Sequence, residues 1–170
     1  KDIRALKGKN VIIDPSSAST WFFNVLKSSK AKIIEARDPC ILPKACKNST
    51  EIMGTRRAHI RDGAALVRFL CWLDNQVAKG NVTEISAADK LEEFRAQGEL
   101  FKDLSFSTIS GYAANGAIVH YKATKKTNAR LKKEGLYLLD SGAQYLDGTT
   151  DVTRTIALGT PTNEQKKNFT

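Results

Sequence analysis

A stretch in the last quarter of the chain constrains its fold most, because two short apolar runs are separated there by an Asp-Gly pair. The first run, Leu138-Leu139, ends in Asp140; Asp147-Gly148 follows, and the second run begins after Asp151. Asp-Gly between alternating apolar residues is typical of a β-hairpin turn. Because strands disfavour acidic residues, Asp140 and Asp151 each require a partner.

Strand parity puts the two acids on the same face of this predicted hairpin. With Asp147-Gly148 as a two-residue turn, Asp151 lies opposite Gln144, and Gln144 shares a face with Asp140. This register separates the acids by four residues, or roughly 13 Å, which is too far for one ion pair or one metal ion. We therefore expect a bulge at residues 148–150 that brings them together.

Two interpretations of these carboxylates are open from the residues alone. Two aspartates aimed at one point repel each other unless a hard cation or a proton lies between them, which favours a metal site. In the alternative, Asp140 caps a turn and Asp151 pairs with Arg154 or a lysine, because perturbed acids are often structural ion pairs.

Longer segments of the sequence are similar to one family of enzymes. The hairpin resembles the metal-site hairpin of the Xaa-Pro aminopeptidases (aminopeptidase P), which are metallopeptidases with the pita-bread fold. The matching segments are spread across most of residues 47–170, and they are residues 56–60, 83–90, 115–121 (Asn-Gly-Ala-Ile-Val-His-Tyr), 140–145 and 147–155. The resemblance implies the amino-terminal half of a pita-bread catalytic domain.

The resemblance also assigns roles to four residues. His120, which the residues alone leave open between a substrate donor and a backbone-bonded side chain, is expected to contact the substrate and stabilise its oxyanion. Asp140 is expected to bind one divalent ion in bidentate fashion, and Asp151 to bridge two ions. Thr153 is expected to orient the bridging carboxylate or a water molecule. Manganese suits such an oxygen-rich site with one imidazole.

The function implied is hydrolysis of the bond between an amino-terminal residue and a following proline, by water activated between two divalent metal ions. The family's remaining ligands, one histidine and two glutamates, are expected beyond Thr170, so this piece alone should be inactive. We expect the whole protein to be a cytoplasmic homodimer. The alternatives are a prolidase that acts on Xaa-Pro dipeptides and a pita-bread binding module without enzymatic activity.

Composition limits the class of protein further. The chain of 170 residues has a net charge of +9, and basic residues cluster at positions 122–133. No aromatic residue interrupts that cluster, so we interpret it as a solvent-facing loop and expect no nucleic-acid partner. No apolar run approaches the ~20 residues of a membrane span. Three cysteines without CxxC spacing favour neither disulfides nor a zinc cluster, and they suit a reducing compartment.

The pattern of apolar residues divides the chain into two parts, an α/β part followed by an α+β part. Residues 1–46 predict strand, helix and strand (residues 11–13, 21–26 and 32–35), which we interpret as the tail of a preceding non-catalytic α/β domain. Residues 47–170 are assigned to the α+β catalytic domain.

Within the second part we predict two helices and a strand. The first helix spans about residues 49–78 and carries His59 on a charged face, where we assign it no chemistry. The second runs from Thr83, or alternatively from Ser86, to a left-handed stop at Gly98. A strand over residues 117–121 is expected to carry His120 near its end.

Overall fold

The computed structural model of the chain describes residues 2–169 and divides into two compact units after Asn48. The sequence places a boundary between Cys46 and Lys47. The assignment of the first part to a non-catalytic domain stays a prediction.

The first unit is a small α/β arrangement that confirms the predicted strand–helix–strand order. After a 3-10 helix at Asp2–Ala5, β1 (Asn10–Ile13) and β2 (Lys32–Glu35) pair in parallel, with α1 (Thr20–Ser28) between them. The Ser19 side chain caps α1 by accepting the backbone N–H of Trp21. A short helix, α2 (Ile41–Ala45), completes the unit.

Two helices begin the second unit, and both were predicted. They are α3 (Ser49–Val77) and α4 (Glu84–Ala96). Thr83 caps α4 in a reciprocal capping box with Ser86, so the start at Thr83 is confirmed and the alternative start at Ser86 is wrong. The left-handed stop at Gly98 is also wrong, because the left-handed residue is Leu100, with φ of 63°.

Six strands and a last helix follow. They are β3 (Phe101–Leu104), β4 (Ile109–Tyr112), β5 (Leu136–Ser141), β6 (Ala143–Tyr145), β7 (Gly148–Thr149), β8 (Val152–Ala157) and α5 (Asn163–Phe169). The strands form two antiparallel sheets with the orders β3-β6-β7 and β4-β5-β8. Segregated helices and antiparallel sheets confirm the predicted α+β class.

The core of the second unit lies where α3 and α4 pack on one face of β5. Phe69 and Leu73 of α3, Leu91 of α4, and Tyr137 and Leu139 of β5 are at most 1% exposed. Burying such a side chain contributes about 1.5–3 kcal/mol. The opposite face of β5, which carries Leu138 and Asp140, is only partly buried.

The strand predicted over residues 117–121 is absent from the structure of this segment. A 3-10 helix occupies Ala113–Ala117, and a turn closed by the Tyr121 N–H and the Ile118 carbonyl (3.1 Å) follows it. The chain folds back so closely that a Cβ on Gly111 would lie 2.8 Å from the Cα of Gly116. Tertiary contacts therefore override the β-propensity of the run.

Candidate metal-binding hairpin

The hairpin pairs in a register two residues away from the predicted one. Tyr145 pairs with Gly148, and Asp140 pairs with Thr153, so the turn consists of Leu146 and Asp147. The strand pairs before Gly142 and those after it keep one and the same register. The pairs within residues 136–157 therefore leave no extra residue on either strand, which a bulge would require. Both the predicted turn and the bulge at 148–150 are therefore wrong.

This register brings the two acids closer than the predicted one. Thr153 lies directly opposite Asp140, and Asp151 precedes Thr153 by two residues. Asp151 is therefore a diagonal neighbour of Asp140 on the same face, at about 7–8 Å between Cα atoms in a regular pair. A shift of two residues keeps every side chain on its face, which is why the predicted shared face survives the wrong register.

Asp140 lies in the central strand of its sheet and has a bare carboxylate. Ile109 and Thr153 flank it on β4 and β8. Its Oδ1 is buried without a hydrogen-bond partner among residues 2–169. Burying an unpaired carboxylate oxygen is costly unless a cation or a donor completes it. This unpartnered atom fits a hard cation, which prefers carboxylate oxygens.

The alternative interpretation, in which Asp140 caps a turn and Asp151 forms an ion pair, does not hold in the described part of the chain. Asp140 is within a strand and caps no turn. Arg154 donates to the carbonyl of Thr153 (2.9 Å), and none of the recorded ion pairs involves the exposed Asp151. Within residues 2–169, however, no three histidine, cysteine or acidic side chains gather into a metal-binding group. The two aspartates can supply only part of a metal site.

The junction between the two hairpin segments is unusually tight. A Cβ on Gly142 would lie 2.0 Å from the Thr150 carbonyl oxygen and 2.3 Å from Ser105 Oγ. Ser105 donates its hydroxyl to that carbonyl (2.9 Å), and the Ala143 N–H donates to the Thr150 hydroxyl (3.0 Å). The Thr150 side chain thus takes the place of a backbone acceptor next to Asp151.

Helix α3 supports the tip of the hairpin by close backbone approach. A Cβ on Gly54 would lie 2.2 Å from the Asp147 carbonyl oxygen, and a Cβ on Gly148 would lie 3.0 Å from the Ala58 side chain. Arg61, on the same helix, donates to the Asp147 carboxylate (2.6 Å). Small residues on α3 therefore set how closely the hairpin tip approaches this helix.

The buried carboxylate of Asp62, one helical turn after Ala58 on α3, also holds the hairpin against this helix. Asp62 forms a bidentate ion pair with Arg95 of α4 (2.8 and 3.0 Å) and accepts the Tyr145 hydroxyl (3.0 Å). Burial, with the adjacent Asp62 charge, raises the pKa of Tyr145, so the phenol stays protonated and donates. Breaking such a pair would leave a charge buried without its partner.

His120 lies in the turn after the 3-10 helix, in an unusual conformation. Its φ is 54°, in the left-handed region that non-glycine residues rarely adopt, and its side chain is exposed. The segment before it approaches the open face of β5, because a Cβ on Gly116 would lie 3.3 Å from the Cβ of Leu138. Leu138 and Asp140 alternate on that face.

Several remaining predictions can be compared with the structure. His59 is exposed, with Nδ1 2.8 Å from the Thr55 carbonyl oxygen, and the absence of chemistry at His59 stays a prediction. All six basic residues of segment 122–133 are exposed, as expected for solvent-facing charges. Cys40, Cys46 and Cys71 are free thiols. No helix within residues 2–169 has the length and apolar character needed to span a membrane.

One residue that the sequence analysis did not single out is Glu84, the first residue of α4. It is fully buried, and its carboxylate accepts hydrogen bonds from the segment that carries His120. A sequence signal existed, because Glu84 lies within the similar segment 83–90. An acid in the first turn of a helix is ordinarily explained by the helix dipole, and that explanation hid it.

A cavity of about 450 Å³ lies at the other end of the β5–β8 pair, between Leu136, Ala157 and α5. Neither Asp140 nor Asp151 lines it. The cavity is therefore separate from the paired acids.

The fold and this hairpin match known proteins. A family model described as metallopeptidase family M24 matches residues 54–170. The chain is 47% identical over 157 residues to "Probable Xaa-Pro aminopeptidase P" of Aspergillus clavatus, covering 91% of this chain and 24% of the relative. It is 56% identical over 135 residues to the protein of the same name from Laccaria bicolor, covering 79% of this chain and 21% of the relative.

A solved structure gives the same picture. The X-prolyl aminopeptidase of Caenorhabditis elegans, described as a cytosolic enzyme with a di-nuclear active site, superposes with a TM-score of 0.80 at 36% identity. The match covers 92% of this chain and 25% of that one. The chain thus spans about a quarter or less of the length of these three relatives.

Proposed function

This chain belongs to metallopeptidase family M24, and on that premise we propose that the whole protein is a metal-dependent Xaa-Pro aminopeptidase. It hydrolyses the bond between an amino-terminal residue and a following proline. The observation that carries the proposal is the buried Oδ1 of Asp140, which has no partner within residues 2–169. The strand register implies that Asp151 lies diagonally across from it.

Asp140 and Asp151 would supply some of the ligands of two divalent ions, and manganese suits their carboxylate oxygens. When bound, such ions make a water molecule a stronger nucleophile and polarise the scissile carbonyl. Two carboxylates bind metal weakly on their own, and within residues 2–169 no third ligand gathers beside them, so we propose that the other ligands belong to the part of the whole protein that this chain does not contain. We expect these residues alone to be inactive.

The residues of this chain have separable tasks in the reaction. The imidazole of His120, exposed on its turn, donates to the oxyanion that develops on the substrate carbonyl. Thr153, directly opposite Asp140 and two residues from Asp151, orients the acids through its hydroxyl. The free amino terminus of the peptide lies near the two acids.

The place of action and the assembly are part of the same proposal. We propose a cytoplasmic enzyme, in line with the cytosolic description of the C. elegans relative and with the free thiols of this chain. A homodimer is the proposed assembly.

The test uses the whole protein with manganese and a tripeptide that has proline in second position. We expect turnover, and we expect Asp140→Asn and Asp151→Asn to lose more than about 100-fold in manganese affinity and in activity, because each removes a ligand. Isothermal titration calorimetry measures the affinity without reference to activity.

Asp74→Asn is the matched control, since Asp74 is exposed on α3 and its change should alter neither quantity. Absence of turnover by the unmodified protein would rule out the peptidase. Unchanged manganese binding by both aspartate variants would favour a binding module. Turnover of an Xaa-Pro dipeptide without turnover of the tripeptide would favour a prolidase.

A further inference from the structure

Glu84 is a buried acid whose partners are all hydrogen-bond donors. Its side chain is 0% exposed. Oε1 accepts the Tyr112 N–H (2.7 Å) and the Asn115 amide (2.9 Å), and Oε2 accepts the Tyr121 hydroxyl (2.9 Å) and the Ala129 N–H (2.9 Å). Four donors fill the four acceptor sites that two carboxylate oxygens offer.

The bonds of Glu84 differ from those of an ordinary buried ion pair. No lysine or arginine is among its recorded partners, and the amino-terminal end of α4 favours a negative charge at this position. Burial raises the pKa of Tyr121, so its phenol remains a donor at neutral pH. The carboxylate therefore organises the polypeptide around it without neutralising a cation.

The donors of Glu84 lie on both sides of His120 in the sequence. Asn115 is in the 3-10 helix before the turn, and Tyr121 follows His120 directly. The Asn115 amide also contacts the Tyr121 hydroxyl (3.0 Å), so both ends of the turn meet at one carboxylate. Tyr121 is 7% exposed, whereas Val119, at 83%, projects from the turn.

This arrangement explains how His120 is kept in a costly conformation. A non-glycine residue with φ of 54° is sterically strained, and such residues persist where the surroundings fix both neighbours. The turn follows a segment packed against Leu138, two residues from Asp140 on the open face of β5. Fixing the turn therefore fixes the backbone from which the imidazole projects, next to the face of β5 that carries Asp140.

We propose that Glu84 is a positioning residue, which holds Asn115 and Tyr121 so that the turn between them presents His120 to the substrate. The inference rests on the proposed function, because it assigns Glu84 an effect that acts through His120. Glu84 itself touches neither the substrate nor a metal ion.

The first test measures hydrogen exchange in the whole protein with Glu84→Gln. The glutamine amide group would face donors, which leaves at least one of them unpaired. We expect amides of residues 113–129 to exchange at least about tenfold faster, with β5 unchanged. Unchanged exchange in 113–129 overturns the inference, and so does an equal loss of protection in β5, which would indicate general destabilisation. This result does not depend on activity.

The second test is a double-mutant cycle on kcat/KM for the tripeptide. We expect Glu84→Gln alone to lower kcat/KM by about 100-fold, because misplacing a catalytic group costs that much. In a His120→Ala background we expect no more than about threefold further loss. An equal loss in both backgrounds overturns the inference, because Glu84 would then act on the site by another route.

Glu92→Gln is the matched control, since Glu92 is exposed on the same helix and bears the same charge. If Glu84→Gln fails to fold, Tyr121→Phe removes one donor of the same group, and both tests are repeated with it. If the unmodified protein shows no turnover, the proposed function fails, while the exchange experiment still decides whether Glu84 fixes the turn.

Discussion

The backbone of His120 is the clearest case of a single residue held against its own preference. Its left-handed φ of 54° is better suited to glycine. We expect His120→Gly to be about 1 kcal/mol more stable than His120→Ala, because alanine keeps the steric cost that glycine removes. Thermal melting of the two variants checks the difference.

Both variants lack the imidazole, so under the proposed function both should lose peptidase activity, and stability and activity should separate at this position. Equal melting temperatures for the two variants would mean that the turn is not left-handed at residue 120.

Sequence reasoning at the residue scale found Asp140 and missed Glu84, for a physical reason. Asp140 lies where a strand disfavours an acid, so its presence is a local anomaly. Glu84 begins a helix, where an acid is ordinary, and its partners are 28 to 45 residues away in the chain. The local pattern of residues around Glu84 therefore does not show its role, and only the similarity of segment 83–90 to a known family pointed to it.

Among the elements, α3 carries a contrast between two glycines. A Cβ on Gly54 meets the Asp147 carbonyl at 2.2 Å, whereas a Cβ on Gly63 meets nothing within 4 Å. We expect Gly54→Ala to destabilise the protein by about 1–3 kcal/mol through overpacking against the hairpin. We expect Gly63→Ala to stabilise it by about 0.5–1 kcal/mol, because alanine is the better helix former.

The two substitutions are chemically identical and lie on one helix, so each serves as the control for the other in a thermal melt. Destabilisation by both would show that helix propensity does not govern position 63. Stabilisation by both would contradict the close approach of α3 to the hairpin tip.

The elements also show where periodicity succeeds and where it fails. The helical spacing of apolar residues predicted α1, α3 and α4 to within a few residues, because these helices bury one face against their own unit. The hairpin register was wrong by two residues, since contact of Gly148 with Thr55 and Ala58 places the turn at Leu146-Asp147. Register depends on what packs against the turn, which local sequence does not contain.

On the scale of the whole molecule, the segment with the most basic residues is not the segment whose backbone is least protected. Residues 36–48 are exposed throughout and contain only the short helix α2, whereas the basic segment 122–133 is tied by hydrogen bonds to residues 82–85. The Leu131 N–H donates to the Val82 carbonyl (2.9 Å), and the Asn128 side chain accepts the Ile85 N–H (3.0 Å).

We therefore expect trypsin to cut first at Lys44 or Lys47, despite the greater number of basic residues in segment 122–133, because cleavage requires local opening. Mass spectrometry of a limited digest identifies the first cut. The double variant Lys44→Gln, Lys47→Gln should delay it. A first cut within 122–133 would contradict the anchoring of that segment.

The continuous pairing offset from Asp140 to Thr153 makes the interval between the two aspartates a fixed length. Hairpin tips usually tolerate insertions and deletions, but here one added or lost residue would turn one acid to the opposite face of the sheet. The tip also lies against Gly54, so a longer loop would have to extend away from α3. A change of one residue in the length of the interval 141–150 would therefore separate the two acids, whereas substitutions within that interval would leave both on one face.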